Sequence, residues 1–366
     1  MSNFSRRREL VRERLGATAD ALLVTEPLNV RYLTGFTGSN AQLLLDEAPV
    51  FFTDGRYEEQ AGKEVPDLER MIYSGSTKLG DLLKDVGAGR GLKRLGVEQA
   101  HLTLGAAERL REALEGFDLV PTKEVVEPVR ARKDEREIEA IARAQELAER
   151  SLVEALARWE GGTEADLALA IEWAIRTGGA EAVSFDVIVA TGAHSALPHA
   201  TPRRERADAE AVLLIDIGAR LDGYCSDMTR TYLGPRVPAE LRDAHEAVLA
   251  ALDAACAAVG PGVKAADVDA AARSVLEERG LAERFVHSTG HGVGLAIHEA
   301  PSLNATSEEV LEPGMVVTVE PGVYLPGVGG VRIEDLLVVT EDGATNLTKL
   351  DRSSEVPRQE AAWQRQ

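Results

Sequence analysis

Residues 287–303 read HSTGHGVGLAIHEAPSL and residues 312–337 read EPGMVVTVEPGVYLPGVGGVRIEDLL; these two stretches decide how the rest of the chain is read. They hold three of the seven histidines, His287, His291 and His298. Glu320 closes the apolar run 315–319 and is followed by Pro321-Gly322, and Glu334 lies inside the apolar run 331–339. Both runs have the composition of buried strands. A carboxylate in such a run is costly unless a cation or a set of donors meets it. The pattern therefore points to a metal.

The same feature recurs upstream. Residues 211–218, AVLLIDIG, read as a buried strand interrupted by Asp216, and Asp227 follows across the turn Leu221-Asp222-Gly223. A hairpin there brings both carboxylates to one point. Two Asp, two Glu and one His form an oxygen-rich set with a single imidazole. Hard or borderline divalent ions such as Mn²⁺ or Co²⁺ suit it better than a thiolate-type zinc site.

The order Asp216, Asp227, His291, Glu320, Glu334 resembles the ligand signature of the pita-bread metallopeptidases, which include methionine aminopeptidase, aminopeptidase P and prolidase. The flanking words VSFDVIVATGAHSALPHATP (183–202), HSTGHGVGLAIHE, TVEPGVY and GVRIEDL resemble the proline-directed branch. The resemblance implies two divalent ions, Mn²⁺ first with Co²⁺ or Zn²⁺ as alternatives. In that scheme Asp227 and Glu334 bridge, Asp216 holds one ion, and His291 with Glu320 completes the other. A bridging hydroxide is then the nucleophile. It also implies that His199 and His298 act on the substrate side, that Glu320 and Arg332 take part in catalysis, and that His287, Tyr324 and Arg332 line the substrate pocket. His101, His194 and His245 fall in no such word and are read as structural.

Outward from this core, 366 residues suggest two domains. An α/β N-terminal domain (1–125, creatinase-like by resemblance) precedes an α+β pita-bread catalytic domain (126–366) with pseudo-twofold symmetry. In the first, residues 21–24, 42–45, 49–53 and 95–98 read as strands and residues 56–61 and 104–114 as helices. The words RYLTGFTGSN (31–40) and TDGRY (53–57) resemble bacterial Xaa-Pro aminopeptidases. Residues 125–129 are expected to form a linking strand, because Pro128 disfavours helix before it. A long helix is predicted from 134 to about 159, with an apolar stripe through Ile141, Ala148 and Leu152. The helix-opening words GGTEADL (161–167) and PGVKAADV (261–268) echo each other about 100 residues apart, as two halves of one plan would.

The composition is that of an ordinary globular protein, with 44% hydrophobic and 28% charged residues. A net charge of −20 argues against nucleic-acid or anionic-membrane partners. Two cysteines make no disulfide framework, and Cys225 reads as a packing residue. No secretory leader is recognisable in SNFSRRRELVRERLG, and no apolar run approaches the ~20 residues of a membrane span. A cytoplasmic enzyme is expected, homodimeric by resemblance. The leading functional expectation is an Xaa-Pro aminopeptidase acting on peptides with proline at the second position. Alternatives are an Xaa-Pro dipeptidase, or a non-catalytic module of the same fold. The words in the first domain tip the choice towards longer substrates.

Overall fold

The computed structural model describes residues 3–208 and 210–357. It divides into two compact units, one ending at Arg130 and the other beginning at Ala131.

The first unit is built on six strands, β1 (Ala21–Val24), β2 (Ala41–Leu45), β3 (Val50–Asp54), β4 (Glu69–Tyr73), β5 (Arg94–Glu98) and β6 (Asp118–Thr122), in the order β4-β3-β2-β1-β5-β6. The hairpin β2–β3 is antiparallel as its short connection through residues 46–49 requires, whereas β3–β4, β1–β5 and β5–β6 are parallel. Parallel pairs need crossover connections: α3 (Glu58–Glu64) joins β3 to β4 and α5 (Leu104–Ala113) joins β5 to β6. Of the other helices, α1 (Asn3–Leu15) precedes β1, α2 (Pro27–Thr34) joins β1 to β2 and α4 (Leu79–Gly89) joins β4 to β5. Leu23, Leu44, Phe52 and Leu95 form the core of one sheet face. The linking strand expected at 125–129 is not formed. Residues Glu127–Arg130 make a short helix, α6. Pro128 falls in its first turn, where its missing N–H is no loss and its fixed φ suits the helix.

The second unit begins with α7 (Glu135–Ala157), opened by a capping box between Asp134 and Glu137, and α8 (Glu164–Thr177), opened by one between Thr163 and Asp166. The pair covers β7 (Ala182–Val183), β8 (Ile188–Thr191), β9 (Val212–Ile217), β10 (Ala219–Leu221), β11 (Tyr224–Cys225) and β12 (Met228–Leu233). Leu152, Leu167 and Ile171 pack there on Val189, Ile215 and Met228. A second pair, α9 (Ala239–Ala258) and α10 (Ala265–Glu278), packs on Val317, Val319 and Val331. These belong to the strand set β13 (Gly290–Gly292), β14 (Glu299–Leu303), β15 (Val316–Val319), β16 (Gly322–Leu325), β17 (Gly329–Arg332), β18 (Asp335–Val339) and β19 (Ala344–Asn346). The sequence echo has a structural counterpart. Thr163 before α8 bridges Arg206, and Lys264 before α10 bridges Val310, each antiparallel.

Two buried acids in these strands have different fates. Asp335 pairs with Arg230, both side chains 1% exposed, at 3.0 Å. The same guanidinium donates to the carbonyls of Glu334 and Leu350. This is a closed structural network, and it locks the backbone of Glu334 in place. Glu334 itself faces the opposite way, into a cavity.

Candidate metal centre

Strand pairing assembles the site. Asp216 lies on β9 opposite Thr229 of β12, and Asp227 immediately precedes β12. The turn between them is the predicted one, with Asp222 and Gly223 at φ of 51° and 85°. It closes a separate β10–β11 hairpin, so β9 and β12 pair directly. His291 sits at the middle of β13, which is threaded between β14 and β15. A Cβ on Gly290 would collide with the Thr318 carbonyl, and one on Gly292 with the Ala300 carbonyl. The glycines beside His291 are therefore demanded by the close approach of backbone on both sides. Glu320 immediately follows β15, and Glu334 occupies the step between β17 and β18.

A cavity of about 560 Å³ results. Asp216, Asp227, His291, Glu320 and Glu334 all line it, together with His199, His287, His298 and Arg332. Of the ten residues singled out from the sequence, only Tyr324 stands behind the wall rather than on it.

His291 Nε2 lies 3.5 Å from Asp227 Oδ2 and 3.5 Å from Glu320 Oε1. Its Nδ1 donates to the Gly292 carbonyl at 3.1 Å, which leaves the Nε2 lone pair facing the carboxylates. Burial pushes the His291 pKa down to about 4, so the ring is neutral at pH 7. Acceptors thus face acceptors. Asp227, His291 and Glu334 each offer a ligand atom within 4.8 Å of the others. Asp216 Oδ1 is buried with no hydrogen-bond partner. Burial, then the charges of Glu334, Asp216 and Glu320, raises the Asp227 pKa far above the usual range. Glu334 is raised likewise, first by burial and then by Glu320 and Asp216. Burial pushes Glu320 up to about 8. An orphaned carboxylate oxygen and mutually repelling buried acids fit a site for divalent cations.

The surroundings hold these groups still. Thr229 Oγ1 donates to Glu334 Oε2 at 2.7 Å. The Arg332 guanidinium donates to Asp216 Oδ2 (2.6 Å), Thr229 Oγ1 (3.0 Å), the Tyr324 hydroxyl (2.8 Å) and the Pro198 carbonyl (3.1 Å). Burial works against its charge, but Tyr324, Asp216 and Glu320 more than offset this. So occupied, Arg332 orients Asp216 and has little left to grip a substrate carboxylate. His287 donates from Nδ1 to the Ser288 carbonyl, so its Nε2 accepts the Tyr324 O–H at 2.8 Å. Burial holds His287 neutral, with a pKa of about 4. His298 packs edge-on against His291, ring centroids 4.3 Å apart.

Cys225 is inert: burial pushes its thiol up to about 11. His194 and His245 serve the fold, bonded to Glu164 and to the Thr231 carbonyl. Sequence reasoning missed Thr229 and Thr231. Strand alternation was the available signal, because residues 229 and 231 share one face of β12, and Thr231 Oγ1 also holds the Arg332 backbone.

The chain matches metallopeptidase family M24 over residues 139–341 and the creatinase/prolidase N-terminal domain over residues 6–132. It belongs to family M24. The Xaa-Pro dipeptidase of Pyrococcus furiosus is 35% identical over 337 residues, spanning 91% of this chain and 94% of that protein. The structure of an Xaa-Pro dipeptidase from Bacillus anthracis matches with a TM-score of 0.93 at 36% identity, over 96% of this chain and 99% of that one. An X-Pro aminopeptidase from Thermotoga maritima matches with a TM-score of 0.87, also at 36% identity, over 93% and 98% of the two chains. The architecture is therefore a creatinase-type N-terminal domain followed by a pita-bread catalytic domain, as expected from the sequence. No helix among the described residues is long and apolar enough to cross a membrane.

Proposed function

We propose that this M24 metallopeptidase is a dinuclear Xaa-Pro dipeptidase, cleaving the bond between an N-terminal residue and proline. The observation that carries the proposal is the convergence of five ligand-type side chains, one with an orphaned oxygen, on a cavity lined by three further imidazoles. Relatives named Xaa-Pro dipeptidase that align over nine-tenths of the chain move the substrate from the longer peptides favoured by sequence words alone to dipeptides. The longer-substrate reading keeps two supports. One is the equal identity of the X-Pro aminopeptidase. The other is the internal engagement of Arg332 in four hydrogen bonds, which leaves a dipeptide's carboxylate largely to the imidazoles. The proposal keeps the division of labour between residues 1–125 and 126–366, with the chemistry in the second, and a homodimer in a reducing cytoplasm.

Asp216, Asp227, His291, Glu320 and Glu334 would hold the ions. When bound, divalent ions supply an acidified water and a Lewis acid for the scissile carbonyl. The protein does the rest. The acidic cavity attracts the substrate's free amine. Glu320 is placed to take a proton from the attacking water and pass it to the leaving prolyl nitrogen. His199 and His298 face the side where an oxyanion develops. Proline's missing N–H and fixed φ explain the need for a dedicated pocket.

The test is kcat/KM for Ala-Pro against Ala-Pro-Ala. A dipeptide advantage of at least tenfold, about 1.4 kcal/mol of transition-state stabilisation, is expected. An equal or greater preference for the tripeptide would make the enzyme an aminopeptidase.

Metal loading should depend on pH. In the metal-free centre Glu320 titrates at about 8, and Asp227 and Glu334 are raised as well. Protons held there at neutral pH compete with the metal, so lowering the pH weakens binding. Chelator-treated protein titrated with Mn²⁺ at pH 6, 7 and 8 should bind about tenfold more tightly per pH unit for each proton displaced. An affinity independent of pH would remove these acids from the ligand set.

A further inference from the structure

Among the described residues, the His199 ring makes no hydrogen bond, and the residue is exposed at the cavity mouth. Its position is set by its backbone. That backbone belongs to the connection from Thr191 to Arg203, which also carries the cavity-wall residues Pro198, Ala200, Thr201 and Pro202. One buried side chain holds both ends of this connection. Glu164, the first residue of α8, is 0% exposed. Its Oε1 accepts from the Thr191 N–H (2.8 Å) and the Thr191 hydroxyl (2.9 Å). Its Oε2 accepts from His194 Nδ1 (2.9 Å), the Arg203 N–H (3.0 Å) and Arg203 Nε (3.1 Å). The connection leaves this carboxylate at residue 191, passes His199 and returns to it at residue 203. Its middle is tied to β17, through the Gly330 N–H on Ser195 Oγ and through Arg332 on the Pro198 carbonyl.

The other half of the unit repeats the device. Asp269 of α10, also 0% exposed, accepts from the N–H and hydroxyl of Thr289 and from Arg273. Arg273 in turn donates to the Phe285 and His287 carbonyls. A buried helix carboxylate thus frames each of the two pocket histidines that precede the metal strands.

We propose that Glu164 is a positioning residue for His199: its carboxylate closes the 191–203 connection into a rigid ring and so sets the imidazole at the cavity mouth. The inference rests on the reading of His199 as a substrate-side residue. Burial alone would raise the pKa of this carboxyl, but Arg203 and Thr191 hold it at about 2, so it remains a full anion across the working range. Glutamine keeps the shape but turns one acceptor into a donor facing donors. The connection then has to shift, and a shift of about 1 Å in a reacting geometry costs on the order of 10²-fold in rate.

The experiment is a double-mutant cycle on the metal-loaded full chain, using whichever of Ala-Pro and Ala-Pro-Ala is turned over faster. Glu164→Gln, His199→Ala and the combined variant are compared for kcat/KM and metal content. Glu164→Gln should keep its metal and lose ~10²-fold. In the His199→Ala background it should cost no more than about a further twofold, because its effect has to pass through the missing ring. Losses that multiply, or a wild-type rate for Glu164→Gln, overturn the proposal. A wild-type rate for His199→Ala overturns it too, by removing the role of His199, while the peptidase reading still stands if the metal-ligand variants are inactive. Should Glu164→Gln not fold, the half-exposed Arg203→Met takes its place in the same cycle. A smaller, non-multiplying loss supports the proposal and a multiplying one overturns it.

Discussion

Asp227→Ala protein should purify lacking at least one equivalent of divalent metal and should lose turnover by more than the ~10²–10³ that one missing oxyanion donor costs. Asp227 Oδ2 shares its ground with His291 Nε2 at 3.5 Å and with Glu334, all within the reach of a single ion. Removing this carboxylate takes away a ligand that the family resemblance assigns to both ions. The same change has an opposite effect on the metal-free protein. Asp227 is buried against Glu334, Asp216 and Glu320, and burial together with their mutual repulsion raises its pKa. Without metal, one fewer acid relieves that repulsion. Metal-free Asp227→Ala should therefore melt at a higher temperature than metal-free wild type. Metal analysis, Ala-Pro hydrolysis and thermal melts read the three effects separately. A variant with full metal and a normal rate would remove Asp227 from the centre.

His298→Ala should lower kcat by ~10²–10³ with little change in KM. The ring packs on His291 and lines the cavity, and burial followed by the neighbouring His199 lowers its pKa. A neutral imidazole donates a single hydrogen bond without adding charge to the ground state. Its partner, the oxyanion, exists mainly in the transition state, so the loss belongs in kcat. Metal content should stay at the wild-type level, because the ring stands beside the proposed ligands rather than among them. Steady-state kinetics on the better of Ala-Pro and Ala-Pro-Ala decides the matter. A change confined to KM would make His298 a binding residue only.

The strands that line the candidate centre were legible because their anomaly is local. Asp216 in VLLIDI and Glu334 in VRIEDL put a charge where the pattern demands an apolar side chain, and such a charge needs a compensating cation nearby. Asp335, one residue on, shows the limit of that argument. It sits in the same apolar run, yet it is paired with Arg230, a residue 105 positions away in sequence, and has no part in the centre. Strand alternation sends 334 and 335 to opposite faces, but only the tertiary structure says which face holds the cavity. The segment 125–129 departs from its expected strand for a related reason. Pro128 restricts the residue before it, yet it is equally at home in the first turn of a helix, and the helix ends at Arg130, whose buried guanidinium donates to Asn29 and pairs with Glu26.

By itself, the sequence determined the two-domain plan, the five ligand-type residues and their order, and the proline-directed branch of the family, because each is written in contiguous words of periodicity or motif. Only the tertiary structure decided that Arg332 is spent on Asp216, Tyr324 and Pro198. The same holds for the His287 tautomer set by Ser288 and Tyr324, and for the hold of Glu164 on the two ends of the His199 connection. Arg332 and Asp216 lie 116 residues apart, and Glu164 and Arg203 lie 39 apart. Which donor meets which carboxylate at such separations is settled by strand register and helix packing, and no local pattern in the chain encodes it.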